Sequence, residues 1–249
     1  MFQFFVDKTQ INEEAGLVYI TGADVNHICN VLRMRVGEQF YVTDGESRGK
    51  HLCALKSAAE EQVVCEILQS IVESSELPCE ITLYQGLPKA SKMDYIIQKN
   101  TELGIKKIVP AVLSRCVVKL DGKSAEEKKT ERWQKIAYEA AKQSGRGIIP
   151  EVSQPHTLDE IIEAVKNDDL VFVPYECESD VKLKDVIEEA KNVKNISFII
   201  GPEGGFDITE IEKIKSAGIK TITLGKRILR TETAGEAVVS MLMYAFDEI

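Results

Sequence analysis

The 249-residue sequence predicts an α/β protein in two parts, a small β-barrel followed by a larger α/β domain built on a parallel sheet. Three observations carry this. Residues 1–72 read as short strands with one helix, the pattern of a small barrel. A polar stretch ending in Pro78 lies within residues 73–80 and suits a linker. From residue 81 to residue 249 strands and helices alternate, which implies a parallel sheet covered on both faces.

In the first part the strand candidates are 3–6, 17–20, 39–43, 51–56 and 62–71. Asn12-Glu13, Gly37 and Asp44-Gly45-Glu46-Ser47 supply turn signals between them. Thr21, with Asp24 three residues on, reads as the cap of a helix running to about Arg33. In the second part strands are expected at 81–85, 108–112, 170–174, 196–200 and 221–224. Helices are expected at 92–103, 126–143, 158–165, 184–190, 209–217 (capped by Thr209 with Glu212) and 233–246.

Composition narrows the class. The hydrophobic fraction of 44% is ample for a core. The apolar start, Met1 to Val6, is too short for a signal peptide and lacks a basic leader, and no apolar run approaches membrane-spanning length. A cytoplasmic protein is therefore expected. The six cysteines fall outside metal-ligand spacing, so scattered free thiols and no metal are expected. The net charge of −9 is unevenly spread. Residues 89–146 carry 14 Lys and Arg against 7 Asp and Glu, between flanks that are both acidic. Such a segment can offer a positive face to phosphates, or it can be a set of solvated helix faces.

Ligands of parallel α/β sheets sit at the carboxyl ends of the strands. That rule selects three loops. The first spans 174–178. The second follows Ile200 and reads Gly201-Pro202-Glu203-Gly204-Gly205-Phe206; its glycines allow a tight turn and close approach of a ligand to backbone. Glu203 would repel a phosphate but suits a ligand with hydroxyls or positive charge. A phosphate-gripping loop would need a lysine after the glycines, and Phe206 and Asp207 stand there instead. The third, 225–233, leaves Leu224 through Gly225 and brings Arg230 and Glu232 to the start of the last helix, whose small residues Ala234, Gly235 and Ala237 permit close packing. Each loop also has a plainer reading, as a tight or solvated connection between elements.

Taken together, 201–206 and 224–234 resemble the signatures of the SPOUT methyltransferases. More narrowly they resemble the family that methylates N3 of a uridine in bacterial 16S ribosomal RNA (RsmE type; family target uridine 1498). The resemblance spans the chain, through Gln3-Phe4-Phe5-Val6, the run from His27 to Gly37, Lys99-Asn100-Thr101-Glu102-Leu103-Gly104-Ile105, and Gln143-Ser144-Gly145-Arg146. It departs at Lys226, where many members have proline.

The resemblance implies a PUA-like barrel for residues 1–72 and a SPOUT domain with a C-terminal trefoil knot for 81–249. It implies S-adenosylmethionine held by Pro174, Tyr175 and Glu176 of the first loop, Ile200, Gly201, Pro202, Glu203, Gly204 and Gly205 of the second, and Leu224, Gly225, Ile228, Leu229, Thr231, Thr233 and Ala234 of the third. It further implies 16S ribosomal RNA as partner, within the assembled small subunit, and a homodimer seamed along the last helix. There Ala237, Val238, Met241, Leu242 and Ala245 form an apolar stripe that could also face its own core.

Chemistry assigns expected roles. The N3–H of uridine must lose its proton for attack, which calls for a base or for stabilisation of the uracil anion. Arg230 is the candidate stabiliser; Glu203 and Glu232 are the candidate bases. N3 lies on the pairing edge, so the target must be unpaired or flipped out. Arg33, Arg35, Lys92, Arg115 and Arg146 are expected to hold the RNA backbone; His27 reads as a helix-face residue and Trp133 as core or interface. Two other functions stay open at this point: ribose 2′-oxygen methylation, and a non-catalytic RNA-binding assembly factor, which predicts no cofactor pocket.

Overall fold

The computed structural model describes residues 1–72, 75–118, 122–189 and 193–246. Glu73 and Ser74 of the expected linker, and Ala190 at the end of the helix expected at 184–190, lie outside the described residues. The chain divides into two compact units. One comprises Met1–Glu76 and Ala141–Ile149; the other comprises Leu77–Ala140 and Pro150–Ile249.

The first unit is a six-stranded sheet. Its strands are β1 (Gln3–Phe5), β2 (Ile11–Asn12), β3 (Leu17–Thr21), β4 (Gln39–Thr43), β5 (Lys50–Ala58) and β6 (Gln62–Ile71), in the order β1-β4-β5-β6-β3-β2. Only β1 and β4 are parallel. Register shifts between β5 and β6 at Leu52/Cys53 and Leu55/Ser57 are the bulges that let a long pair bend. The inward-facing Phe4, Val18, Ile20, Phe40, Leu55 and Cys65 form its core. The helix after β3 begins one residue later than expected. Gly22, at φ +75°, is its N-cap, and Thr21 ends the strand. A backbone in the left-handed region is cheap for glycine, and it replaces a side-chain cap here. A short α1 (Ala23–Asn26) runs directly into a π-helical turn, His27–Val31.

Residues Ala141–Ile149, expected with the second half, pack with the first unit. Gln3 Nε2 donates to the Arg146 carbonyl at 2.6 Å and Thr43 Oγ1 to the Gly147 carbonyl at 3.1 Å. The buried Arg146 and Glu76 side chains, 3% and 4% exposed, form an ion pair. Glu76 also accepts from the backbone N–H groups of Gly147 and Ile148.

The second unit is a parallel sheet. Its strands are β7 (Glu80–Gly86), β8 (Lys107–Val112), β9 (Glu151–Val152), β10 (His156–Thr157), β11 (Leu170–Pro174), β12 (Asn195–Ile200) and β13 (Lys220–Ile222). The order is β10-β8-β7-β12-β11-β13, with β9 beside β8, and every pair is parallel. Period-two alternation splits the apolar side chains between two faces. Ile81, Leu83, Phe172, Phe198 and Ile200 meet α2 (Lys92–Glu102), α3 (Lys123–Ser144), α5 (Leu183–Glu189) and α7 (Thr231–Ala245) on one side. Tyr84, Val109, Val173 and Ile199 meet α4 (Leu158–Ala164) and α6 (Ile208–Ser216) on the other. Leu77 and Cys79, placed in the linker by sequence, are buried in the first of these clusters. The cap of α6 is Asp207 with Glu210, a complete capping box, rather than Thr209 with Glu212.

Candidate active site

Strands β11, β12 and β13 are parallel neighbours of the second unit, so the loops that leave them emerge at one end of the sheet. They enclose a cleft of about 560 Å³. That is the size range of small-molecule sites. From the first loop it takes Pro174, Tyr175 and Glu176; from the second, Ile200 through Phe206; from the third, Thr223 through Arg230, with Thr231 and Ala234 of α7 and Lys92 of α2. All the cofactor candidates read from sequence line it except Thr233, which is exposed on the first turn of α7 and is not among the lining residues. Sequence reasoning missed Phe206, Thr223, Lys226 and Arg227 as lining residues; each sits between or beside residues it did select.

The second loop is seated on the end of β7. A Cβ on Gly86 would stand 2.6 Å from the Pro202 nitrogen and 2.9 Å from the Gly201 carbonyl carbon. Only glycine allows that approach of two backbones. The buried Gln85 donates through Nε2 to Thr231 Oγ1 at 2.8 Å, and Thr231 Oγ1 donates to the Gly201 carbonyl at 2.7 Å. One side-chain relay thus ties the ends of β7 and β12 to the start of α7. Gln85 carries no sequence signal of this role. The hydroxyl it holds is 146 positions away, and a strand-end glutamine looks like any other.

A charged cluster lies beside the relay. Lys92 Nζ is 3.1 Å from Glu203 Oε1 and 3.1 Å from Glu232 Oε2. The Lys89 backbone N–H donates to Glu203 Oε1 at 3.1 Å. Partial burial works to raise both carboxyls. In Glu203 the backbone donors, its own N–H and that of Lys89, and then Lys92 outweigh burial; in Glu232 its own backbone N–H, Lys92 and Arg230 do the same. Both therefore titrate below the usual glutamate range. Hydrogen bonds to Glu232 and Glu203 raise Lys92 in turn. Arg230, the backbone N-cap of α7, is 81% exposed, with Nη1 3.9 Å from Glu232 Oε1.

The expected RNA contacts separate into three groups. Arg33 (at φ +52°) and Arg35 are exposed on the first unit. Arg115 is half-exposed but donates to the Gly204 carbonyl at 3.1 Å and approaches Asp207 at 3.4 Å, so it braces the glycine loop. One expectation is corrected. Arg146 is buried against Glu76 and presents no guanidinium to solvent. Lys92 is held between two carboxylates and lines the cleft. Trp133 is a core residue, 5% exposed. Of the expected apolar stripe on α7, Val238 and Leu242 face the unit's own core while Met241 and Ala245 are exposed. Among the described residues no cluster of three or more His, Cys, Asp or Glu forms a metal site, and no helix is long and apolar enough to cross a membrane.

Comparison with known proteins places this geometry in a family. Residues 75–243 match the RNA methyltransferase domain and residues 20–68 the RNA methyltransferase PUA domain. Ribosomal RNA small subunit methyltransferase E of Bacillus subtilis is 37% identical, over 98% of this chain and 96% of its own length. The Aquifex aeolicus protein of the same name is 36% identical over 92% and 94%. Among solved structures, ribosomal RNA small subunit methyltransferase E of Neisseria gonorrhoeae, bound to S-adenosyl methionine, superposes with a TM-score of 0.86 at 31% identity, covering 99% of this chain and 98% of that one. The curled first unit and the parallel second unit, with glycine loops gathered at one end of its sheet, are accordingly those of the RNA methyltransferase family to which this chain belongs.

Proposed function

We propose that the chain transfers a methyl group from S-adenosylmethionine to N3 of a uridine in 16S ribosomal RNA, on the assembled small subunit, as a cytoplasmic homodimer. The observation that carries the reading is the cleft itself, three strand-end loops with glycine at each close approach, together with a 31%-identical relative solved with S-adenosyl methionine bound. The lining fits that molecule. Gly201, Gly204, Gly205 and Gly225 line the cleft without side chains of their own, while the carboxylates of Glu176 and Glu203 suit hydroxyls and positive charge and would disfavour a phosphate. When bound, it supplies a methyl group activated on a sulfonium.

The chain's own residues align and stabilise. Arg230, permanently cationic at the mouth of the cleft, is the group assigned to the uracil anion. Glu203 and Glu232 are the carboxylates at hand for the N3 proton; held ionised by backbone N–H donors and Lys92, they are weak bases, which shifts the burden toward anion stabilisation. Arg33 and Arg35 are assigned to the RNA backbone. The exposed Met241, Tyr244 and Ala245 of α7 are assigned to the dimer seam, which light scattering tests: a monomer mass at micromolar concentration rejects it. A trefoil knot at the C-terminus belongs to the same reading. Pulled out by its ends, a knotted chain stops short of the length an unknotted one reaches.

Two measurements test the function. Calorimetry is expected to give one S-adenosylmethionine per chain, competed by S-adenosylhomocysteine. Mass spectrometry of 16S ribosomal RNA from a strain lacking the gene is expected to show one N3-methyluridine lost. Loss of a ribose 2′-O-methyl group instead would establish the alternative chemistry. An unchanged modification pattern with no cofactor heat would leave an RNA-binding assembly factor.

A further inference from the structure

The cation at the inner wall of the cleft has a different task from the one its charge suggests. Lys92 is the first residue of α2, its side chain 30% exposed, and its ammonium meets carboxylates from two other elements, Glu203 of the β12–α6 loop and Glu232 of the first turn of α7. Two carboxylates already balance its charge, and a phosphate approaching it would meet their repulsion. Because both carboxylate oxygens lie 3.1 Å from one nitrogen, they stand within about 6 Å of each other, where like charges oppose each other's ionisation. Each carboxylate also accepts from its own backbone N–H, but the lysine is the cation in contact with both. Arg230 reaches Glu232 only at 3.9 Å from an exposed position, and the N–H of Lys89 serves Glu203 alone. Glu236, one turn along α7, and Cys116, after β8, add repulsion when ionised.

We infer that Lys92 is a positioning residue that clamps the glycine loop to the start of α7 through Glu203 and Glu232, and that it makes no phosphate contact with RNA. The clamp closes on the same cleft as the Gln85–Thr231–Gly201 relay, so it sets the loop that a cofactor would meet. The effect on methyl transfer rests on the function proposed above; the clamp does not.

The test uses the full chain with Lys92→Met, which keeps the stem and drops the charge, and Lys92→Arg, which restores charge. Carboxyl-carbon NMR titration, assigned with Glu203→Gln and Glu232→Gln, reads the clamp directly. Both carboxyls are expected to titrate at higher pH in Lys92→Met and to return most of the way in Lys92→Arg. S-adenosylmethionine affinity is expected to fall about tenfold in Lys92→Met, and the acid limb of methyl transfer to small subunits from the gene-deleted strain to move to higher pH. The salt dependence of small-subunit binding is expected to stay unchanged, whereas a lost phosphate contact would lower its slope by about one. Unchanged carboxyl titrations, or a lowered slope, would overturn the inference. Wild-type chain that binds no S-adenosylmethionine would overturn the functional reading instead, with the carboxyl titrations still deciding the clamp.

Discussion

Removing Glu76 should unfold the first unit far more readily than its place in a polar stretch suggests. The carboxylate and the Arg146 guanidinium are 4% and 3% exposed, with Arg146 Nε 3.1 Å from Glu76 Oε2. Glu76 Oε1 also receives the N–H groups of Gly147 at 3.1 Å and Ile148 at 3.2 Å. Glu76→Gln takes away the carboxylate that the buried guanidinium meets, and breaking such a pair from one side costs about 3–5 kcal/mol. For a chain of this length that is a fall in melting temperature of about 6–20 °C. Arg146→Met is expected to act alike from the other side. The double variant Glu76→Met/Arg146→Met should cost less than the two single changes together, because both members of the buried pair are gone. Its recovery is incomplete, since the Gly147 and Ile148 N–H groups still lose their acceptor. Thermal melts of the three variants, paired with small-subunit binding against salt, decide the matter. Arg146→Met with a wild-type melting temperature and a flatter salt slope would refute the burial argument and return Arg146 to the RNA surface.

The other expectations concern the cleft. Arg230→Ala should lower turnover by about 10²–10³ with cofactor affinity changed less than about tenfold, and Arg230→Lys should rescue part; lost cofactor binding with a lower melting temperature would make the residue a brace instead. Gly86→Ala forces the Pro202 backbone away from β7 and should cost about 1–3 kcal/mol in a urea melt while weakening S-adenosylmethionine binding; a variant with wild-type calorimetry would show that the two backbones can part freely. Glu203 and Glu232 have depressed folded-state pKa values, so the stability they add is present above the ordinary glutamate range and lost as pH falls through their lowered values. In acid melts Lys92→Met should therefore begin losing stability at higher pH than wild type, and superimposable acid limbs would contradict this.

Local pattern was a good guide to elements and a poor one to partners. Strands β4, β6 and β11 have the limits that alternation and turn residues suggest, because those signals lie within the strand. The cleft was legible for a related reason: strand-end loops with glycine are contiguous in sequence. The short strands β2, β9 and β10 escaped because two residues carry no periodicity. Two caps were misplaced where a neighbour did the task better, Gly22 through its backbone and Asp207 through a carboxylate reaching Thr209 N–H. Sequence alone assigns Lys92 and Arg146 to the RNA backbone, because the carboxylates that meet them come from distant parts of the chain. A positive charge in a sequence says nothing of what neutralises it. That also explains why a basic middle segment overstated the cationic surface: part of its charge is spent internally.

The relay from Gln85 through Thr231 to Gly201 has a consequence in time. A nascent chain that has emerged only as far as α6 holds Gln85 and the glycine loop but lacks the hydroxyl that joins them. Until Thr231 and Ala234 are made, one side of the cleft is missing, and the Gly201 carbonyl lacks the hydroxyl that fixes it. Ligand binding cannot help the earlier parts fold during synthesis; it can only reward a chain that has already brought its final helix home. Chains truncated before that helix should be inert toward the ligand rather than partly competent, and a protease that nicks the β13–α7 segment should abolish binding in a single cut.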